Sequence, residues 1–333
     1  MNSSSRLVPV ILWLSSALSL AAAPVAVDPS LPAYHQAGTV KGEASALVTP
    51  QLQPLMSAWI AAFQVFHPNA KINIVTRKAD IRVYVIGLGP NTDEVYSSTI
   101  APYLEKYGYD PFHVIVSMGG LRVTVRPQAL AIFVHPDNPV RHVTMTQLDA
   151  MFSSTRRRGA DAPIATWGDL GATGEWAAKP VHLYLRPANN VATWHFREAV
   201  LQGGLFKASG VVPGKGTTDE VIAAVEQDPD GVTYGAYGYK TDKVKANVLS
   251  VGDASGHFGD PDEVDISAGR YPLSRPLELY VNRPPGQPVD PMIKEFLRFV
   301  LSHDGQEIVT RDTADGFLPM PESIALPNRQ SLE

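Results

Sequence analysis

With 333 residues and 44% hydrophobic content, the chain is long enough for about two domains around a sizeable core. Its formal net charge of −5 excludes the broad phosphate neutralisation that nucleic-acid binding needs, yet leaves room for one locally positive anion site. There is no cysteine, which excludes disulfides, thiol catalysis, thiolate metal sites and a lipid anchor attached through cysteine.

Arg6 is the first charge and Asp28 the next; between them lie a mainly apolar run from Leu7 to Leu20 and the small residues Ala21-Ala22-Ala23. This is the layout of a signal peptide over residues 1–23, and the run is shorter than the roughly 20 apolar residues of a membrane span. An uncleaved anchor is the alternative reading. Residues 24–40 are Pro-bearing and without period, and read as a flexible leader.

The first strong element is a helix. Leu52, Leu55, Met56, Trp59, Ile60 and Phe63 recur at helical spacing, with Thr49 placed as N-cap and Pro50 as first residue. Lys71 to Val75 and Ile81 to Ile86 are predicted strands, and Glu94 to Tyr107 a helix ended by Gly108. Leu121 to Val125 and Leu130 to Val134 read as strands, the second followed by the turn-rich string His135-Pro136-Asp137-Asn138-Pro139. Thr144 with Gln147 and Thr217 with Glu220 have the spacing of capping boxes, each opening a short helix. Between them come a strand at Val181 to Leu185, a loop from Arg186 to Val191, and a helix carrying Trp194, Ala199 and Val200. Val232 to Tyr239 reads as a strand whose Gly235 and Gly238 mark close backbone packing, with Tyr234, Tyr237 and Tyr239 alternating along it. A strand at Leu277 to Val281 and a helix over Pro291 to Leu301 complete the order. Strands alternating with helices predict an α/β protein with mostly parallel pairing.

Enzyme signatures are missing. There is no G-x-S-x-G elbow; Gly214-Lys215-Gly216-Thr217 lacks the hydroxyl residue directly after Lys that a P-loop requires; and no two of the nine histidines stand four apart. No catalytic residue, metal or cofactor is predicted. Two helix starts are candidate anion sites, because a helix N-terminus presents unpaired N–H groups and partial positive charge. One is Thr49-Pro50-Gln51. The other is Asn190 to Thr193, shortly after Arg186, whose guanidinium could clamp an oxyanion. Ordinary capping by Thr49 and Asn190, with Arg186 on the surface, explains the same spacing. The run Arg156-Arg157-Arg158-Gly159 reads as a solvated turn or, alternatively, a docking patch.

Longer strings narrow the choice. They include Pro54-Leu55-Met56-Ser57-Ala58-Trp59, Ala131-Ile132-Phe133-Val134-His135-Pro136-Asp137-Asn138-Pro139, Gln147 to Ser153 with Arg156 to Gly159, and Thr166-Trp167-Gly168-Asp169-Leu170-Gly171. Tyr271-Pro272-Leu273-Ser274-Arg275, Leu301-Ser302 with Gly305-Gln306, and Gly316-Phe317-Leu318-Pro319 follow. In order and spacing the chain from about Lys41 to Ser323 resembles the periplasmic phosphate-binding proteins of ABC transporters and their DING relatives.

The resemblance implies a two-lobed type II periplasmic-binding-protein fold, its mixed, mostly parallel sheets joined by two hinge crossings. The expected division is lobe 1 over 41–130 and 245–325, lobe 2 over 131–244, and a tail at 326–333. It further implies a monomeric periplasmic binder of phosphate or a related small anion, serving an ABC permease, with no catalysis and no membrane span after signal cleavage. Carried onto this chain, the anion contacts fall to Thr49, Gln51, Thr92, Arg186, Asn190 and Thr193. The family's pattern is only partly kept. Val48-Thr49-Pro50-Gln51 has lost a glycine, the second binding loop is replaced by Thr76 to Asp80, and the acid that accepts the phosphate proton aligns with Gly87. Arg186 and Thr193 survive, without the Ser-Gly expected between them. A sensor or accessory scaffold with a degenerate cleft is the alternative to a transport role.

Overall fold

The computed structural model describes residues 25–48, 52–75, 86–87, 100–124, 127–212, 216–311 and 314–333. The N-terminal stretch opens with a turn in which Leu31 N–H donates to the Asp28 carbonyl. Tyr34 then donates its hydroxyl to Glu295 at 2.7 Å, lies 2.6 Å from His67 Nε2, and donates its amide to Asp304. The expected flexible leader is therefore strapped to the body: an aperiodic segment can still partly bury one aromatic ring and pair its hydroxyl.

Strand β1 (Gly42–Leu47), helix α1 (Gln53–Phe66) and strand β2 (Ala70–Val75) form a parallel unit in register from Gly42 opposite Ala70. Helix α1 buries Leu55, Met56, Trp59, Ile60 and Phe63, the stripe the spacing predicts. Its first residue is Gln53 with Pro54 in the opening turn, so the expected start at Thr49-Pro50 is corrected; Thr49 itself lies outside the described residues. The expected strand at 81–86 is described only as β3 (Ile86–Gly87), and the next helix only as α2 (Ala101–Tyr107), ended by left-handed Gly108. Strand β4 (Phe112–Gly119) follows.

The described part of the expected strand at Leu121 to Val125, residues 121–124, is not extended into a strand. Its start is a turn whose Gly120, Leu121 and Arg122 amides donate to the carbonyls of Gly316 and Asp315. The chain then enters β5 (Leu130–Val134), entirely buried, which suits a continuous apolar run covered on both faces. β6 (His142–Thr144) leads into α3 (Met145–Phe152), opened by the predicted Thr144–Gln147 capping box. Next come β7 (His182–Tyr184), α4 (Val191–Ala199), β8 (Val211–Val212), α5 (Thr218–Val225) with its Thr217–Glu220 box, and β9 (Gly231–Ala236). Tyr237 to Tyr239 leave the strand as a single 3-10 turn, so the three tyrosines do not alternate along one face.

β10 (Asn247–Val248), β11 (Ser250–Gly252) and β12 (Phe258–Gly259) precede α6 (Glu263–Ser267) and β13 (Leu277–Val281). The chain ends with α7 (Pro291–Val300), α8 (His303–Thr310), β14 (Phe317–Leu318) and α9 (Glu322–Gln330). The expected tail at 326–333 is thus mostly helix. Leu332 is buried and Glu333 pairs with Lys294 at 2.7 Å.

Sheet pairing is mixed rather than mostly parallel. A five-stranded sheet runs β10-β5-β9-β7-β8, a four-stranded one β14-β4-β13-β3, and a three-stranded one β12-β11-β6. β1–β2, β7–β8, β7–β9 and β6–β11 are parallel, whereas β5–β9, β5–β10, β11–β12 and all pairs of the four-stranded sheet are antiparallel. The reason is directional. β5 carries the chain into the five-stranded sheet and β9 carries it back, so the two central strands oppose each other. β10 stays beside β5, and β11 beside β6, so the return to the four-stranded sheet comes after Gly259.

The family strings explain packing. Tyr271 donates its hydroxyl to the Leu130 carbonyl, Leu130 N–H donates to Leu273, and Arg275 donates to the Pro127 carbonyl at 2.8 Å, seating the first crossing. Trp59 Nε1 donates to the Gly305 carbonyl at 2.8 Å, where a side chain on Gly305 would strike the Phe299 carbonyl. Gly238 meets the backbone of Leu121 and Arg122, so the turn after β9 is pressed onto the crossing.

Candidate functional site

The site is built at the start of α4. β7 ends at Tyr184, and Thr233 Oγ1 donates to its carbonyl at 2.7 Å, locking β7 to β9. The chain turns through Arg186 and Pro187, where Asn190 N–H donates back to the Pro187 carbonyl. Asn190 then caps α4: its Oδ1 accepts from the amides of Ala192 at 3.0 Å and Thr193 at 3.3 Å. A carboxamide oxygen in this place satisfies two of the orphan donors of the first turn.

Arg186 projects beside this turn. Its Nε and Nη1 are buried and meet no acceptor among the described residues. A guanidinium normally pairs when buried, because an unmet charged donor costs several kcal/mol, about 1–3 or more. Two unmet cationic donors can each donate to an oxyanion, Nε and Nη1 from different edges of the guanidinium. Thr193, only 3% exposed, stands one turn into α4. Beneath it Tyr234 of β9 stacks on Phe196 at 4.1 Å between ring centroids and 8° between planes, and donates its hydroxyl to Thr193 Oγ1 at 3.1 Å. Burial pushes the Tyr234 phenol up to about 12, while Thr193 and the Arg186 amide and guanidinium facing its oxygen pull the other way. His195, on the next turn, is held well below its ordinary range by burial and then by Arg275, and is neutral.

The far end of α4 is anchored by the arginine run. The Arg158 guanidinium donates to the carbonyls of Ala199 and Val200, and its amide donates to the buried Asp149 carboxylate at 2.7 Å. Arg157 donates to the Gln202 carbonyl at 2.7 Å. Arg158 is thus not a solvated turn residue: it places a cation against the carbonyl end of the helix that carries the site. Elsewhere His182, Asp228 and Asp230 each offer a ligand atom within 4.8 Å of the others. The Asp228 oxygens are already taken by His182 at 2.8 Å, Tyr184 at 2.9 Å and the Asp230 amide, so protein groups account for its contacts.

Of the residues expected to hold an anion, Arg186, Asn190 and Thr193 come together here. Thr49, Gln51 and Thr92 lie outside the described residues. Gly87, aligned with the expected acid, is in β3 opposite Leu279 and offers no carboxylate. Sequence reasoning missed Tyr234. Its signal was present, because a tyrosine inside a fully buried strand needs a partner for its hydroxyl.

Residues 122–304 match the model of the PBP superfamily domain. A phosphate-binding protein, PstS, of Pseudomonas aeruginosa is 36% identical over 326 residues, covering 96% of this chain and 96% of that protein. The chain belongs to the periplasmic phosphate-binding protein family. Within the family, PstS of Staphylococcus haemolyticus is 25% identical over 273 residues, covering 81% of this chain and 78% of its own. The crystal structure of PstS from Borrelia burgdorferi superposes with a TM-score of 0.54 at 16% identity, covering 84% of this chain and 99% of that one, and shows the shared two-lobed fold. No helix among the described residues is long and apolar enough to cross a membrane.

Proposed function

We propose that this chain is a periplasmic solute-binding protein that closes two lobes over phosphate or a related small oxyanion and delivers it to an ABC permease. The observation that carries this reading is the pair of buried, unmet donors on Arg186 beside the Thr193 hydroxyl. The phosphate-binding names of its relatives support the same ligand class. Thr49, Gln51 and Thr92 are assigned as further anion contacts on the strength of the family resemblance. The lobes are proposed as 41–130 with the segment after Gly259, against 131–259; the pairing of β10 with β5 and of β11 with β6 supports moving the second boundary past the expected 245. Export by a cleaved signal peptide, without a lipid, rests on the first 23 residues. Binding without chemistry is assigned because no nucleophile at the site is paired with a base among the described residues.

A second reading, a sensor or accessory scaffold with a degenerate cleft, is favoured by Asn190. Its oxygen occupies the Ala192 and Thr193 amides that a tightly held anion would want. Titration calorimetry with phosphate, sulfate and a panel of small carboxylates separates the two. Sub-millimolar phosphate binding that Arg186→Ala abolishes supports the transport reading; no heat with any anion refutes it.

A further inference from the structure

The hydroxyl pair at Tyr234 and Thr193 has a direction. Tyr234 has one proton, and donates it to Thr193 Oγ1. Thr193 Oγ1 is the hydrogen-bond partner of the Tyr234 hydroxyl among the described residues, and a phenol, the stronger acid of the two hydroxyls, is the donor. The ring is wholly buried, stacked on Phe196 and set edge-on to Phe152 at 5.7 Å, so the hydroxyl does not swing away. Thr193 Oγ1 thus accepts from within the protein. Its own proton must be donated elsewhere, and no acceptor among the described residues takes it.

We propose that Tyr234 is a positioning residue that forces the Thr193 hydroxyl to act as a donor, so that Arg186 and Thr193 together present donors only to the ligand. This rests on the anion-site reading above and narrows it. A wall of donors takes the unprotonated oxygens of a tetrahedral oxyanion. It does not read a protonated oxygen, which would require an acceptor. Fully ionised sulfate and the phosphate dianion are then equivalent at this wall, and discrimination between them cannot come from it.

The test is a double-mutant cycle by titration calorimetry, with phosphate and sulfate as probes, on wild type, Tyr234→Phe, Thr193→Val and the double variant, with Arg186→Ala and Thr193→Ser alongside. Phe keeps the stack on Phe196 and removes only the hydroxyl. Tyr234→Phe is expected to weaken both anions by about tenfold in the wild-type background and to have no effect in Thr193→Val, while Thr193→Ser, which keeps the hydroxyl, retains the dependence on Tyr234. Additive losses, or unchanged affinity in Tyr234→Phe, would overturn the assignment while leaving the anion site standing. Full binding in both Arg186→Ala and Thr193→Val would overturn the site itself. Thermal unfolding of each variant is measured in parallel. A Tyr234→Phe chain that fails to fold would also overturn the assignment, because the hydroxyl would then serve stability and not the ligand.

Discussion

Replacing Arg158 by Met tests how the site helix is held. The change keeps a long apolar stem and deletes the guanidinium. Two carbonyls at the end of α4, those of Ala199 and Val200, then lose a cationic donor. Charge-assisted hydrogen bonds contribute about 1.5–3 kcal/mol each, reduced here because Arg158 is only half-buried and the carbonyls can rehydrate. Against that reduction stands Asp149, which is fully buried, has one oxygen without a partner, and finds in Arg158 an opposing charge. Stranding a buried carboxylate costs several kcal/mol, commonly about 3–5. The expected net loss is about 3 kcal/mol. Urea unfolding measures it as a lower midpoint at unchanged slope, since the folded and unfolded surfaces are little altered. Arg157→Met, which loses a single bond on an exposed side, is the control, with an expected loss under about 1 kcal/mol. If the two variants unfold at the same midpoint, the anchoring role of Arg158 is refuted and the run is an ordinary solvated turn.

Other outcomes follow from the same contacts. Gly238→Ala places a methyl 3.0 Å from the backbone of Leu121 and Arg122, which cannot step aside as a side chain would, and is expected to cost about 1–3 kcal/mol in thermal or urea unfolding. Gly108→Ala, with open space around it, would by contrast show only the strain of its left-handed φ of +73°, about 1 kcal/mol. His195 is neutral in the fold with its pKa depressed, so between that value and the ordinary 6.5 the unfolded chain binds the extra proton. Stability is therefore complete above about pH 6.5 and falls as acid is added, by up to about 1.4 kcal/mol per pH unit, until the folded-state pKa is reached. His195→Gln is expected to flatten the pH 5–7 part of a melting-temperature profile; an unchanged slope would show that another group titrates there.

Local periodicity determined much of this protein from sequence alone. The α1 stripe, both capping boxes, β13 and the close approach at Gly238 are local matters of spacing, cap chemistry and side-chain size, and they stand where the sequence places them. So does the pairing of Arg186 with the turn into α4, because strand, loop and cap are contiguous in the chain. What the tertiary structure decided is direction and partnership across distance. Alternating strands and helices suggested parallel pairing, but the antiparallel β5–β9 pair depends on the chain passing twice between the sheets, which no local window records. Arg158 reads as solvent-facing until α4 arrives 41 residues later to receive it. Tyr234 reads as core packing until Thr193, 41 residues away, takes its proton. Hydrophobic spacing is written into consecutive residues. A hydrogen bond between distant segments exists only once the fold has brought donor and acceptor within about 3 Å of each other.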